Sequence, residues 1–229
     1  MKFGIVIFPG STFADDCYRV IKNLLSCDVE YISHSETKSL RHDCVVLPGG
    51  SSYGDHPRCG SLASTAPVMK EVADFAGKGG PVIAIGNGFQ ALTECSLLPG
   101  ILIRNKSDRF ICRETYLKVE NRTSMFTSAF KSTIVKFNVA HGFGQYTANT
   151  ETLERLENEG RVAFRYADTN GRAIEECNPE GSANNIAGIL SYEGNVVGMM
   201  PFPERSADNI FGCTDGLDLF KSILSQVAT

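Results

Sequence analysis

No stretch of this chain stays apolar for long enough to span a bilayer; its longest hydrophobic strings have the length of strands. Neither sign of charge dominates. Twenty-two basic residues stand against 26 acidic ones, a net charge of −4, which leaves no electrostatic case for nucleic acid or an anionic membrane as the main partner. No C-x-x-C pair and no Cys/His cluster occurs, so the common zinc frameworks are absent and no metal site is expected. No linker, repeat or low-complexity segment interrupts the 229 residues, which therefore read as one domain able to bury a substantial core. Met1-Lys2 runs straight into the short apolar string 3–8, too brief for a secretory signal. The eight cysteines are accordingly expected to be reduced thiols of a cytoplasmic protein, most of them small core residues.

What is present is an alternation of short apolar runs and helical periodicity. Strands are expected over residues 3–8, 28–33, 43–47 and 81–85, with helices over 12–26, 62–77 and 89–95. In the second strand Val29, Tyr31 and Ser33 alternate against Glu30 and Ile32. The second half reads as strands 109–120, 133–140, 161–166, 186–191 and 196–200, closed by a helix over 208–226. The pattern predicts an α/β fold: a central, mostly parallel sheet, helices on both faces, and an antiparallel extension.

In such a sheet ligands sit beyond the C-terminal ends of the strands. Small-residue turns gather there: Pro9-Gly10-Ser11, then Pro48-Gly49-Gly50, then Gly86. The string Val82-Ile83-Ala84-Ile85-Gly86-Asn87-Gly88-Phe89-Gln90 reads as a buried strand, a sharp turn and the start of a helix. That is how a chain presents a nucleophile at a strand-to-helix elbow. Here the tip is a glycine, and positive φ is expected at Gly86 because such tips are strained for other residues.

The motifs in order resemble the class I, triad-type glutamine amidotransferases, and more narrowly the PurQ family, the glutaminase subunit of phosphoribosylformylglycinamidine synthase in purine biosynthesis. The resemblance rests on Phe8-Pro9-Gly10-Ser11, Leu47-Pro48-Gly49-Gly50, Ser52-Tyr53-Gly54-Asp55, Asn87-Gly88-Phe89-Gln90, Leu97-Leu98-Pro99-Gly100, Ala140-His141-Gly142 and Ile186-Ala187-Gly188, with Met200-Pro201 and Pro203-Glu204-Arg205 after them. It implies the flavodoxin-like amidotransferase fold. It also implies a cysteine that attacks the glutamine amide, a histidine oriented by a glutamate, and an oxyanion hole with one N–H from the Gly-Gly loop. Ammonia then passes to a large, ATP-dependent PurL-type subunit; a small PurS-type subunit is a further partner. ATP and magnesium belong to the large subunit, and no cofactor is implied for this chain.

Carried over position by position, the cysteine falls on Gly86, the histidine on Phe202 and the glutamate on Glu204. Glycine has no atom to attack with, and phenylalanine moves no proton. Glutaminase activity is therefore expected to be lost. Gly49, Gly50, Gln90, Tyr53 and His141 are the residues expected to line a glutamine pocket. Cys59 and Cys95 are expected to be ordinary thiols, and Arg58 and Arg205 to face the large subunit or to form ion pairs. The family usually has Asn-Cys where this chain has Thr12-Phe13, Phe where it has Ser51, and Glu where it has Phe143. A non-catalytic scaffold or regulatory module keeps the fold in the same way. Deliberate inactivation would explain Gly86 and Phe202, but fits the further departures less well.

Overall fold

The apolar strings of the first half become strands whose successive side chains enter two different cores. Ile83 and Ile85 pack with Phe3, Ile5, Cys17 and Phe220 on one side of the sheet. Val82 and Ala84 pack with Val6, Val72, Phe89 and Leu92 on the other. Both faces are covered, so no polar alternation marks these strands in the sequence.

The computed structural model describes residues 1–54 and 58–227; Asp55 of the Ser-Tyr-Gly-Asp string lies outside them. In chain order the elements are β1 (Lys2–Ile7), α1 (Ala14–Arg19), β2 (Asp28–Ser33), β3 (Cys44–Leu47), α2 (Ser61–Ser64), α3 (Pro67–Gly77), β4 (Val82–Ile85), α4 (Asn87–Glu94) and β5 (Ile101–Ile103). There follow β6 (Ile111–Val119), β7 (Ile134–His141), β8 (Gln145–Thr147), α5 (Thr150–Asn158), β9 (Val162–Ala167), β10 (Ile186–Leu190), β11 (Val196–Met199) and α6 (Leu217–Val227). Among the described residues the main sheet runs β2-β1-β3-β4-β11-β10-β9-β6-β7, and β5 pairs with β8 separately. Pairing is parallel from β2 to β11 and antiparallel from β11 to β7, the extension expected from the sequence. No helix among the described residues is long and apolar enough to cross a membrane.

Several expected elements come out differently, each for a physical reason. The helix over 12–26 is α1 followed by a π-helical turn, Val20–Leu24, in which the Leu25 N–H reaches back to the Val20 carbonyl. The helix over 62–77 divides into α2 and α3 at Pro67. Proline takes the first helical position, and Ala66 before it is extended (φ −64°, ψ 145°). In β2, an edge strand with only β1 beside it, Ile32 is buried in the core while Tyr31 on the other face is exposed. The last helix starts at Leu217 rather than near 208. Residues Asn209–Phe211 form a separate 3-10 turn capped by the Asp208 carboxylate, and Gly212 in left-handed conformation ends it. The short β5–β8 pair and α5 have no counterpart among the expected elements; α5 is capped by Asn149, whose side chain accepts from the Thr152 N–H, and buries only Leu156.

Candidate functional site

A single residue, Gly86, joins β4 to α4. Its φ of +52° and ψ of −110° are costly for any residue with a side chain, as expected of an elbow tip. Its N–H donates to the Met199 carbonyl of β11 at 2.7 Å, and its carbonyl accepts from the Gln90 N–H at 3.1 Å to open the helix. The helix lies directly on β3: a Cβ on Gly88 would stand 2.2 Å from the Leu47 carbonyl oxygen, so glycine alone permits this approach.

An aromatic ring fills the space in front of the tip. Phe202 follows β11, and its N–H donates to the Asn138 carbonyl of β7 at 2.8 Å. The Asn138 side chain in turn donates to the Arg205 carbonyl at 3.1 Å. Held this way, the ring lies against two strand ends at once. A Cβ on Gly86 would lie 2.8 Å from its Cε1, and one on Gly49 would lie 2.5 Å from the same atom. Phe13 meets Phe202 edge-on with ring centroids 4.8 Å apart, and the Arg205 guanidinium covers Phe13 at 5.4 Å. Between Gly50, Ser51, Gly86, His141, Phe143 and Phe202 a cavity of about 20 Å³ remains.

Two buried acids flank the crevice in opposite circumstances. Glu204 is fully buried, and among the described residues neither of its carboxylate oxygens has a hydrogen-bond partner. Its own backbone N–H partly opposes the effect of burial without forming a bond of normal geometry. Burial, reinforced by the charge of Asp16, pushes the Glu204 carboxyl up to about 8. The Cys17 thiol is pushed up by burial and then by Glu204. Glu180, by contrast, is fully satisfied. One oxygen is shared by His141 Nε2 and the Tyr166 hydroxyl, and the other accepts from Ser182 Oγ at 3.1 Å. His141 lines the crevice with its ring centroid 6.2 Å from that of Phe202, and its Nδ1 is buried with no partner among the described residues.

A family model described as a CobB/CobQ-like glutamine amidotransferase domain matches residues 5–213. The PurQ subunit of phosphoribosylformylglycinamidine synthase from Chlorobaculum tepidum is 46% identical over 226 residues, covering 98% of this chain and 97% of that one. The corresponding subunit from Aquifex aeolicus is 47% identical over 227 residues, covering 99% and 100%. The chain belongs to the PurQ family. A solved structure described as PurLQS from Thermotoga maritima superposes with a TM-score of 0.86 at 35% identity, over 99% of this chain and 98% of that one. A glutamine amidotransferase from Thermotoga maritima shares the fold, with a TM-score of 0.57 at 15% identity over 100% of this chain and 85% of that one.

Most residues that the PurQ motifs marked converge on this one crevice. Gly50, Gly86, Gln90, His141 and Phe202 line it, and Gly49 touches the Phe202 ring's space. Gln90 is tied at both ends: its oxygen accepts from Asn87 Nδ2 at 2.7 Å, and its Nε2 donates to the Phe143 carbonyl at 2.6 Å. Tyr53 stands apart, with its hydroxyl at 2.9 Å from His34 Nδ1 and its ring near Phe8. Cys59 lines the crevice, whereas Cys95, at the far end of α4, turns its thiol to the Leu92 carbonyl. Arg58 pairs with Glu94 and Arg205 with Asp16, the ion-pair alternative for both. Glu180 escapes the motif reading. It lies in Asn178-Pro179-Glu180-Gly181, which reads as an exposed turn, and only the tertiary fold brings it to His141.

Proposed function

We propose that this chain is a PurQ-type subunit of a phosphoribosylformylglycinamidine synthase that keeps its place in the complex and does not hydrolyse glutamine. The observation that carries this reading is the pair Gly86 and Phe202, side by side at the elbow where the family's chemistry needs a thiolate and an imidazole. A thiolate attacks an amide carbon, and an imidazole carries its proton. Neither methylene hydrogen nor phenyl ring can do either. Loss of one such group removes several orders of magnitude in rate, and loss of the second removes little more, because the groups act as a unit. The partners, on this reading, are the large PurL-type subunit and the small PurS-type one, as in the complex named for the Thermotoga maritima structure. ATP and magnesium act on the large partner, and the complex works in the cytoplasm.

The test is glutamine hydrolysis by the chain bound to its cognate large subunit, measured beside the Gly86→Cys/Phe202→His double variant. The unaltered chain is expected to show no turnover and the double variant to regain it. Turnover in the unaltered chain overturns the inactive reading. Failure to bind the large subunit favours a scaffold or regulatory module outside purine synthesis.

A further inference from the structure

The geometry points to more than two missing groups: we infer that the Phe202 ring seals the crevice against the glutamine side chain, and that Gly86 and Phe202 are an interdependent pair. The inference rests on reading this crevice as the family's glutamine site. It goes further by excluding the ligand as well as the reaction.

The ring occupies the volume that a side chain at position 86 requires. A Cβ there would meet Phe202 Cε1 at 2.8 Å and Cζ at 3.2 Å. Contacts that short demand that something move. The ring has little room to move. It is 3% exposed, Phe13 abuts it at 4.8 Å, and its backbone is bridged to Asn138 of β7. The opposite Cβ direction, from Gly49, is blocked by the same ring. One aromatic side chain therefore spans the elbow tip and the Gly-Gly loop, the two places between which an amide and its oxyanion would sit.

What remains of the cavity, about 20 Å³, admits roughly one water molecule. Sites that bind small molecules are larger by more than tenfold, roughly 300–1,000 Å³. The polar group best placed to hold an amide is also engaged, since Gln90 spends both ends of its side chain on Asn87 and Phe143. It follows that a cysteine restored at position 86 has no space while Phe202 stays. A histidine restored at position 202 regains a proton carrier but has no nucleophile to serve. Nitrogen reaching a bound synthase subunit does not come through this crevice.

Two measurements on the full chain test this. In calorimetric titration with millimolar glutamine, the unaltered chain is expected to give no binding heat and Phe202→Ala to give a saturable one. Equal binding in the two chains, or equal absence of binding, overturns the seal. In thermal unfolding, Gly86→Ala is expected to lower the midpoint by roughly 3–9 °C in the unaltered background. In the Phe202→Ala background it is expected to lower it by at least about 2 °C less. The positive-φ strain is common to both backgrounds and cancels, so equal losses overturn the interdependence. Association with the large subunit is read separately. Its absence sinks the subunit reading and leaves both results standing.

Discussion

Glu204 is a carboxyl group with no hydrogen-bond partner among the described residues, and the side chain two residues before it is a phenyl ring. Both of its oxygens are buried and neither is bonded, so ionising it in the folded chain is costly. The consequence is a pH dependence of fixed sign. The folded value, about 8, lies above the ordinary 4.5, so the folded chain holds this proton more tightly than the unfolded chain does. Below about 4.5 both states carry the proton and the site makes no pH-dependent contribution. As pH rises towards 8 the unfolded state ionises alone and stability falls; above 8 both are ionised and the loss levels off. The full loss is on the order of 3–5 kcal/mol. Glu204→Gln has no such proton to lose. Its unfolding midpoint, compared with that of the unaltered chain, is expected to gain between pH 5 and about 8 and to level off above that. A gap that stays constant over that range would mean that the carboxyl has a partner after all.

At the scale of the element, α4 shows how tightly the elbow is specified. Its approach to β3 places Gly88 so that an added Cβ strikes the Leu47 carbonyl, a backbone group with no rotamer to escape into. Gly88→Ala is expected to lower stability by about 2–3 kcal/mol, read as a lower denaturant midpoint with an unchanged slope. Gly77, the last residue of α3, provides the contrast. Nothing lies within 4 Å of its Cβ direction, so Gly77→Ala is expected to raise the midpoint by the equivalent of about 0.5–1 kcal/mol. These local features explain what is legible in the sequence. Buried strings such as 82–85 mark a strand, and the Gly-Asn-Gly turn marks the elbow, because the causes lie within a few residues. The break at Pro67 is equally local, yet the apolar periodicity running through it hides it. Other features have distant causes. Tyr31 lies against Tyr18 and Asp15 of α1, and Glu180 is buried where it meets a histidine 39 residues away. The identity of both positions facing the elbow can be read from motif order, but the contact of the Phe202 ring with Gly86 and Gly49 cannot. That contact depends on the segment after β11 bridging to Asn138 of β7.

Across the whole molecule, the crevice lies between strand ends of the parallel half and a strand of the antiparallel half of one sheet. Parallel strands β3 and β4 deliver Gly49, Gly50 and Gly86 from one side, and antiparallel β7 delivers His141 and the Asn138 carbonyl that holds Phe202 from the other. Sealing this crevice alters the interior while leaving the outer surface almost untouched, since Phe202 is 3% exposed. Partner binding and glutamine use should therefore separate. Phe202→Ala is expected to bind the large subunit with the affinity of the unaltered chain, because the substituted atoms are not on the surface. Synthesis by the reconstituted complex should likewise be supported by ammonium salts and unaffected by glutamine. Both nitrogen sources should be compared with a reaction lacking either. A glutamine-dependent rate above that of the isolated large subunit would show that this chain still delivers nitrogen, and would require a route that bypasses Gly86. The expected result, ammonium-dependent synthesis in an intact complex, follows from a subunit whose fold maintains the assembly while its crevice is filled by its own side chain.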